Sequence, residues 1–323
     1  SSTLLAEFEI ALFDSIKKFY FTIYQENKMS FNLKSKIFSD QTQKDDEIAI
    51  VGMSAEFGGR ATNTEMFWKC MLEGYDAVST RESQKACFLK NIEYFDNKYF
   101  HITDSEAKAM DPQQRLLLQN VQIALCDTGL DITKLKGTET GVYVGICGVH
   151  ENKDVNVYSA TGSAHSIAAN RISYVFDFQG PSMAFDTACS SSLVAFEKAV
   201  QDLQQGNCKM AVAAGVNVLL NQRITDTFEL MGMLSADHHC HTFCEKANGY
   251  VRGEGCGVVV LQKVKDVQDR SKIWAIVKAA SVNQDGQTAT LTAPNGLSQE
   301  RIIKNTLKKA KLKASDIDYV ECH

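Results

Sequence analysis

Between residues 180 and 206 the hydrophobic pattern changes its period once, and this change constrains the fold more than any other feature. Residues 183–185 form a short apolar run after Gly180-Pro181, which predicts a buried strand. Farther on, apolar residues recur at helical spacing up to a glycine stop at Gly206: Leu193, Phe196, Val200 and Leu203. Cys189 therefore lies where a strand ends and a helix begins.

The position of Cys189 has a chemical consequence. Backbone N–H groups in the first turn of a helix have no intrahelical acceptor and mark the positive end of the helix dipole. Both effects favour a thiolate, and the same donors can stabilise the oxyanion that forms when a thiolate attacks a carbonyl. A single cysteine beside a helix is more often a small buried apolar residue. Position alone therefore leaves two interpretations of Cys189 open, a nucleophile and a core residue.

The rest of the chain alternates strand patterns with helix patterns. Apolar or small-residue runs predict strands at residues 47–53, 140–147, 209–217, 255–261, 273–281 and from 317 onward. Helices are predicted at residues 64–72, 112–128 and 298–309. The second of these has the clearest start, because Asp111 fits an N-cap and Pro112 fits the first helical position. The alternation indicates an α/β protein with a mainly parallel sheet that is covered on both faces.

Composition places the protein in a broad class. The 323 residues are 44% hydrophobic and carry a net charge of −5, which gives no electrostatic reason to expect nucleic acid or an anionic membrane as a partner. Ten cysteines scattered through a chain of this size are typical of reduced thiols, so a cytoplasmic location is expected. No apolar run approaches the length of a membrane span.

The two ends of the chain differ from its middle. Residues 1–45 combine an imperfect helical stripe with a polar stretch, which fits a docking helix or linker of a larger protein or else a poorly ordered tail. The sequence begins without methionine and stops inside an expected strand, so a fragment of a larger protein is expected.

The string Asp-Thr-Ala-Cys-Ser-Ser-Ser-Leu at residues 186–193 closely resembles the nucleophile motif of β-ketoacyl synthases, in particular the ketosynthase domains of polyketide synthases. Further strings resemble the same family, at residues 47–53, 109–118, 168–174 and 249–255. The resemblance implies a thiolase-like fold, in which two similar α/β halves with mainly parallel or mixed sheets pack together. It places an N-terminal half with the nucleophile at 46–262 and the start of an incomplete second half at 263–323, after an extension at 1–45.

The resemblance also implies a site and a reaction. Cys189 is the implied nucleophile, and Val-Glu-Cys-His at the end of the chain matches the strand that delivers the first of two catalytic histidines, here His323. The implied reaction is acyl transfer to Cys189 followed by decarboxylative Claisen condensation with a malonyl-type thioester. The implied partners are an acyl carrier protein domain, acyl and malonyl-type thioesters on its phosphopantetheine, and a second copy of the chain that pairs through residues 181–187. No cofactor or metal is expected to bind this domain itself.

Two alternatives remain open at this point. One is the same reaction in a fatty-acid synthase, which the motif at 186–193 does not distinguish. The other is a catalytically silent ketosynthase-like dimerisation module. The intact Cys189 argues against the silent module, whereas two departures from the family pattern keep it open: Cys244 stands where Asp is usual, and Cys322 stands where Ala is usual.

Several other patterns are interpreted as carrying no separate chemistry. The segment 238–244 contains three histidines and two cysteines, but adjacent residues point in different directions and no second ligand cluster lies at the usual zinc spacing. The glycines at 253–257 precede a strand and not a helix, which excludes a phosphate-binding loop. The basic run at 301–313 fits the solvated face of a helix. The segments 283–286 and 292–296 are expected to be loops near the pocket.

Overall fold

The computed structural model describes residues 46–148 and 155–323, so the predicted extension at 1–45 lies outside the described residues. Within them, eight strands lie at β1 Ile48–Phe57, β2 Ser79–Arg81, β3 Gln84–Ala86, β4 Thr140–Ile146, β5 Ser182–Phe185, β6 Met210–Asn217, β7 Gly255–Lys263 and β8 Ala275–Val277. Eight α-helices lie at α1 Thr64–Glu73, α2 Asp104–Ala109, α3 Pro112–Asp127, α4 Ser159–Ser163, α5 His165–Phe176, α6 Ser191–Gln205, α7 Gln222–Leu230 and α8 Gly296–Ala310.

Six of the strands form one mixed sheet in the order β5-β4-β6-β7-β1-β8. Strands β5, β4 and β6 run parallel, whereas the pairings β6–β7, β7–β1 and β1–β8 are antiparallel. The expectation of a mainly parallel sheet is therefore wrong for this half of the fold, and the mixed alternative holds. Strand β7 returns from the long segment after β6 in the opposite direction, so it lies antiparallel to β6 on one side and to β1 on the other.

Helices cover both faces of the sheet, as predicted. Helices α3 and α5 pack on one face, where a core of fully buried side chains includes Leu117, Ile172, Val144, Val212 and Val260. Helix α6 packs on the other face, where its Ala199 and Leu203 form a buried cluster with Tyr143, Ala211 and Leu261 of the sheet. Each large apolar side chain buried in this way contributes about 1.5–3 kcal/mol. The two cores hold the centre of the sheet rigidly between helices.

The predicted start of α3 and the predicted ends of α1 and α6 are confirmed. Helix ends of this kind can be predicted because the contacts that fix them involve residues close in sequence. Asp111 accepts a hydrogen bond from the Gln113 N–H at 2.8 Å, and Pro112 is the first residue of α3. Helices α1 and α6 end at Gly74 and Gly206, which have φ of 60° and 81°. At these left-handed positions a glycine avoids the steric cost of a Cβ.

The predicted strand from residue 317 onward is wrong. The chain passes through a 3₁₀ turn at Ala314–Asp316, and from there to His323 the described residues form no strand. Ile317, Tyr319 and Val320 remain 40%, 58% and 69% exposed. A strand needs a neighbour for its backbone hydrogen bonds, and no described strand lies beside this segment.

The segment predicted as a strand at 273–281 is shorter than expected. Only Ala275–Val277 pairs, with β1, and Ile273 just before it is 2% exposed within the core under α3 and α5.

No helix in the described part of the chain is long and apolar enough to cross a membrane.

Candidate active site

Cys189 lies in the turn between β5 and α6, as predicted, and it is solvent-exposed and not part of the core. Ala188 has φ of 55°, so the chain bends sharply just before the thiol. Helix α6 begins at Ser191, two residues later. The core interpretation of Cys189 is therefore wrong, and the thiol faces open space at the positive end of a 15-residue helix.

Side chains of the same string hold this turn in place. The Asp186 carboxylate accepts from the Ala188 N–H at 3.1 Å. The Ser191 hydroxyl accepts from the Thr187 N–H at 2.9 Å and donates to the Ala188 carbonyl at 2.6 Å. The Ser190 hydroxyl donates to the Thr187 carbonyl at 3.0 Å. Polar residues around Cys189 thus satisfy the backbone of a strained turn, which keeps the thiol in one place.

A row of glycines lies under the turn. Gly145 of β4 pairs with Gly215 of β6, which pairs in turn with Gly257 of β7. A Cβ on Gly145 would lie 2.4 Å from the Ser192 backbone nitrogen, and one on Gly215 would lie 2.6 Å from the Ser192 Cβ. Real Cβ atoms do not approach that closely, so glycines at both places allow the start of α6 to rest directly on the sheet.

Cys189 opens into a groove of about 1580 Å³, and the three glycines form part of its floor. Apolar side chains from several elements form most of the walls, among them Phe57, Phe67, Leu193, Phe196, Met231 and Met233. Leu193, the first apolar residue of the helical pattern in α6, is 70% exposed and lines the groove. Cys147, which directly follows β4, is also part of the lining. A long apolar groove beside a thiol suits a hydrophobic acyl chain.

Arg252 brings a positive charge to this groove. Its guanidinium donates to the Thr225 hydroxyl at 2.6 Å and lies 5.2 Å from the centre of the Phe228 ring. Burial lowers the pKa of Arg252, although a guanidinium keeps its charge at physiological pH. Burial also raises the pKa of the neighbouring Tyr250 phenol, which therefore stays neutral.

Glu254 is part of the groove lining and holds other parts of it in place, although nothing in the local sequence selects it. Its fully buried carboxylate accepts two hydrogen bonds from Arg81, at 2.8 and 2.9 Å. It also accepts from the backbone N–H groups of Leu89 and Leu219, at 2.9 and 3.1 Å. Glu254 thus joins three distant segments, and the only signal in the sequence was an acidic residue between two glycines.

The second predicted site residue, His323, lies apart from Cys189. It is exposed, belongs to no strand and is not among the residues that line the groove. Of the two loops expected near the pocket, only Thr292 reaches the groove. The others hold the start of α8, with Asn283 donating to the Ser298 carbonyl and Asn295 donating to the Asp285 carbonyl, both at 2.9 Å.

The histidine and cysteine segment at 238–244 forms an exposed loop. His239 contacts the Asp76 carboxylate at 3.0 Å, and His241 contacts the Asp237 carboxylate at 2.7 Å. The two imidazole rings therefore bind different carboxylates. Across residues 46–148 and 155–323, no three His, Cys, Asp or Glu side chains come together as metal ligands. Downstream, the glycines at 253–257 lead into strand β7, as predicted.

Comparison with known proteins agrees with this geometry. The family model described as "Beta-ketoacyl synthase, N-terminal domain" matches residues 45–267, and the one described as "Beta-ketoacyl synthase, C-terminal domain" matches residues 274–323. The chain belongs to the β-ketoacyl synthase family. Among curated relatives, the spectinabilin polyketide synthase system protein NorA' of Streptomyces orinoci is 40% identical over 300 residues. Probable polyketide synthase 1 of Dictyostelium discoideum is 37% identical over 321 residues.

These β-ketoacyl synthase relatives are much longer than this chain. The matches cover 86% and 90% of the chain but only 8% and 10% of the two relatives. Among solved structures, the ketosynthase from module 6 of the bacillaene synthase from Bacillus subtilis 168 is 36% identical, with a TM-score of 0.79. That match covers 85% of the chain and 50% of the solved one. The thiolase-like α/β fold and the likeness to polyketide synthase ketosynthases are thus confirmed.

Proposed function

We propose that this chain carries the nucleophile of a polyketide-type β-ketoacyl synthase, a C–C bond-forming acyltransferase, with Cys189 as the acyl acceptor. The observation that supports this most directly is the exposed Cys189 thiol at the start of α6, on the floor of an apolar groove. The helix start supplies partial positive charge for the thiolate, and the groove supplies a sheltered surface for the chain that the thiolate accepts.

The proposed reaction has two halves. The Cys189 thiolate attacks the carbonyl of an acyl thioester, the first-turn N–H donors of α6 stabilise the oxyanion, and the carrier thiol leaves. A malonyl-type thioester then loses carbon dioxide, and its enolate carbon attacks the carbonyl of the acyl–Cys189 thioester. This step forms the new C–C bond and releases Cys189. His323 is proposed as one of two imidazole donors to the enolate oxygen.

The partners follow from this chemistry. Both thioesters are proposed to arrive on the phosphopantetheine arm of an acyl carrier protein domain, so the chain itself needs no bound cofactor. A cytoplasmic homodimer is proposed, with β5 at its centre. Strand β5 lies at one edge of the sheet and carries the half-buried side chains of Met183 and Phe185. An edge of this kind favours pairing with a second copy.

The test measures the two halves separately in the natural gene product that contains this chain. Cys189→Ala is expected to abolish covalent acylation by an acyl-pantetheine thioester, because no other thiol lies at this helix start. The matched control is Cys244→Ala, which removes another exposed cysteine and is expected to leave acylation intact. Peptide mapping locates the acyl group. Equal acylation of the Cys189→Ala variant and the parent protein contradicts the assignment.

The second half-reaction tests His323. If its imidazole stabilises the enolate, His323→Ala is expected to lower condensation by about 10²–10³-fold, the usual effect of losing one oxyanion donor, and to leave acylation of Cys189 unchanged. Unchanged condensation in this variant removes His323 from the mechanism without affecting the role of Cys189.

A further inference from the structure

Two cysteines lie at the floor of the groove. Cys189 follows β5 and is exposed, whereas Cys147 follows β4 and is half-buried. Both side chains line the same cavity. The proposed condensation uses only Cys189, so the second thiol has no assigned role.

The sheet register brings the two thiols to the same place. Strands β4 and β5 are adjacent and parallel, and Gly145 pairs with Phe185 at their common end. Neighbouring strands lie about 4.8 Å apart, so Cys147, two residues beyond Gly145, emerges beside the turn that begins at Asp186. The sharp bend at Ala188 keeps Cys189 close to that strand end. A disulfide needs Cα atoms within about 7 Å of each other, and adjacent strands lie closer together than that.

Electrostatics supports the same proximity. Burial raises the pKa of the Cys147 thiol, and negative charge on Asp186 and on Cys189 raises it further. The positive charge of Arg252 acts to lower the pKa of Cys147. Negative charge on the two cysteines acts in turn to raise the pKa of Arg252. Because Coulomb interactions weaken with distance, the two thiols and Arg252 form one local cluster. Cys147 therefore remains a protonated thiol beside a more exposed partner.

We propose that Cys147 is a resolving thiol that forms a reversible disulfide with Cys189 when the protein meets a hydroperoxide. In the first step the Cys189 thiolate takes the terminal oxygen of the peroxide and becomes a sulfenic acid, and with one proton the peroxide leaves as an alcohol or as water. In the second step the Cys147 sulfur attacks the Cys189 sulfur. The S–S bond forms, the S–O bond breaks, and the Cys147 proton leaves with the hydroxyl as water. Two external thiols then restore both cysteines.

The disulfide protects Cys189 from permanent damage. A sulfenic acid with no neighbouring thiol is oxidised onward to sulfinic and sulfonic acids, which ordinary thiols do not reduce. A resolving thiol in the same groove stops the oxidation at a reducible stage. This reaction goes beyond the proposed condensation and does not depend on it, since it needs only the two sulfur atoms and a peroxide.

The experiment uses hydrogen peroxide as the probe. The natural gene product that contains this chain is oxidised, free thiols are alkylated, and the peptides are mapped by mass spectrometry without reduction and after treatment with dithiothreitol. In the parent protein the peptides of Cys147 and Cys189 are expected to be joined, and dithiothreitol is expected to restore alkylation of Cys189 almost completely. In Cys147→Ser and Cys147→Ala most of the Cys189 is expected to become sulfinic acid, which dithiothreitol does not reverse.

The matched control is Cys87→Ser. Cys87 is the other half-buried cysteine of the described residues, but it is not among the residues that line the groove. This variant is expected to behave like the parent protein. The inference is overturned if the Cys147 variants recover Cys189 as fully as the parent does, or if Cys189 is joined to a different cysteine. Either result leaves the assignment of Cys189 as acyl acceptor untouched, because acylation is measured separately.

Discussion

At the scale of single residues, Glu254 shows how a site is held by a group that takes no part in its chemistry. Its buried carboxylate receives four hydrogen bonds, from Arg81 and from the backbone of Leu89 and Leu219. Leu219 lines the groove, so the position of that wall depends on a charge at the start of β7. Replacing this carboxylate is expected to destabilise the fold, because it leaves an arginine and two backbone N–H groups without their hydrogen-bond acceptor.

Glu254→Gln is therefore expected to lower the free energy of unfolding by about 2–3 kcal/mol, below the value for a fully buried pair because Arg81 is 35% exposed. Urea unfolding measures the change. The control is Glu73→Gln, which breaks the exposed pair with Arg60 at 2.7 Å and is expected to cost less than about 1 kcal/mol. Equal losses in the two variants contradict the role given to Glu254.

Sequence reasoning found Cys189 but not Glu254, Cys147 or Arg252, and the reason is physical. Cys189 is marked by its own neighbours, since the strand, turn and helix around it all lie within residues 182–205. The partners of Glu254 are distant in the chain, at Arg81 and Leu89. Nothing local distinguishes a carboxylate with such partners from a solvated one. His323 was selected by resemblance alone, and its catalytic role remains a prediction.

At the scale of elements, the contact between α6 and the sheet sets the position of the thiol. Gly145 and Gly215 place no Cβ in the space under Ser192, so the start of the helix lies close against the sheet backbone. The ends of α3 and α6 were predictable because caps and glycine stops act locally. The orientation of β7 and β1 was not, since strand direction depends on partners far along the chain.

Gly145→Ala is expected to push the start of α6 away from β4, because the new Cβ would lie 2.4 Å from the Ser192 nitrogen. Overpacking of this kind costs about 1–3 kcal/mol, and the shift is expected to change the alkylation rate of Cys189 by iodoacetamide severalfold. Thermal unfolding and timed alkylation measure the two effects.

Gly296→Ala is the matched control, since nothing lies within 4 Å of its added Cβ. It sits at the first position of α8, where alanine favours the helix. The interpretation fails if Gly145→Ala retains the stability and the alkylation rate of this control.

At the scale of the whole molecule, an exposed ion pair links two segments that are distant in the chain. His239 donates to the Asp76 carboxylate at 3.0 Å and to the Asp237 carbonyl at 2.8 Å, which requires both ring nitrogens to carry protons. The Asp76 hydrogen bond raises the pKa of His239 above its ordinary value of 6.5. A hydrogen bond from the Val78 N–H, together with the same ion pair, lowers the pKa of Asp76 below 3.8.

The link is therefore expected to depend on pH. Its stabilising effect is complete below pH 6.5, where the histidine is also protonated in the unfolded chain, and is lost as the pH rises through the raised pKa of His239. At the acid end it is lost as the pH falls through the lowered pKa of Asp76. NMR titration of the His239 ring is expected to show the raised pKa, and Asp76→Asn is expected to return it towards 6.5.

Asp131→Asn is the control for this titration, because it removes an exposed carboxylate that caps the 3₁₀ turn at Ile132–Leu135. It is expected to leave the His239 titration unchanged. An unshifted His239 pKa in Asp76→Asn shows that the pair does not form in solution.

The pairing of β1 with β7 also has a consequence for how the protein is made. Ile48 of β1 pairs with Lys263 of β7. During synthesis, β1 therefore cannot form this pairing until the ribosome has added more than 200 further residues. At about 5–20 residues per second this delay is roughly 10–40 s, far longer than a helix or hairpin needs to form. During that time β1 is a long apolar strand with both edges unpaired, which is a target for chaperones and for aggregation. The groove floor closes only when β7 enters, so a nascent chain has the Cys189 turn in place before the groove around it is complete.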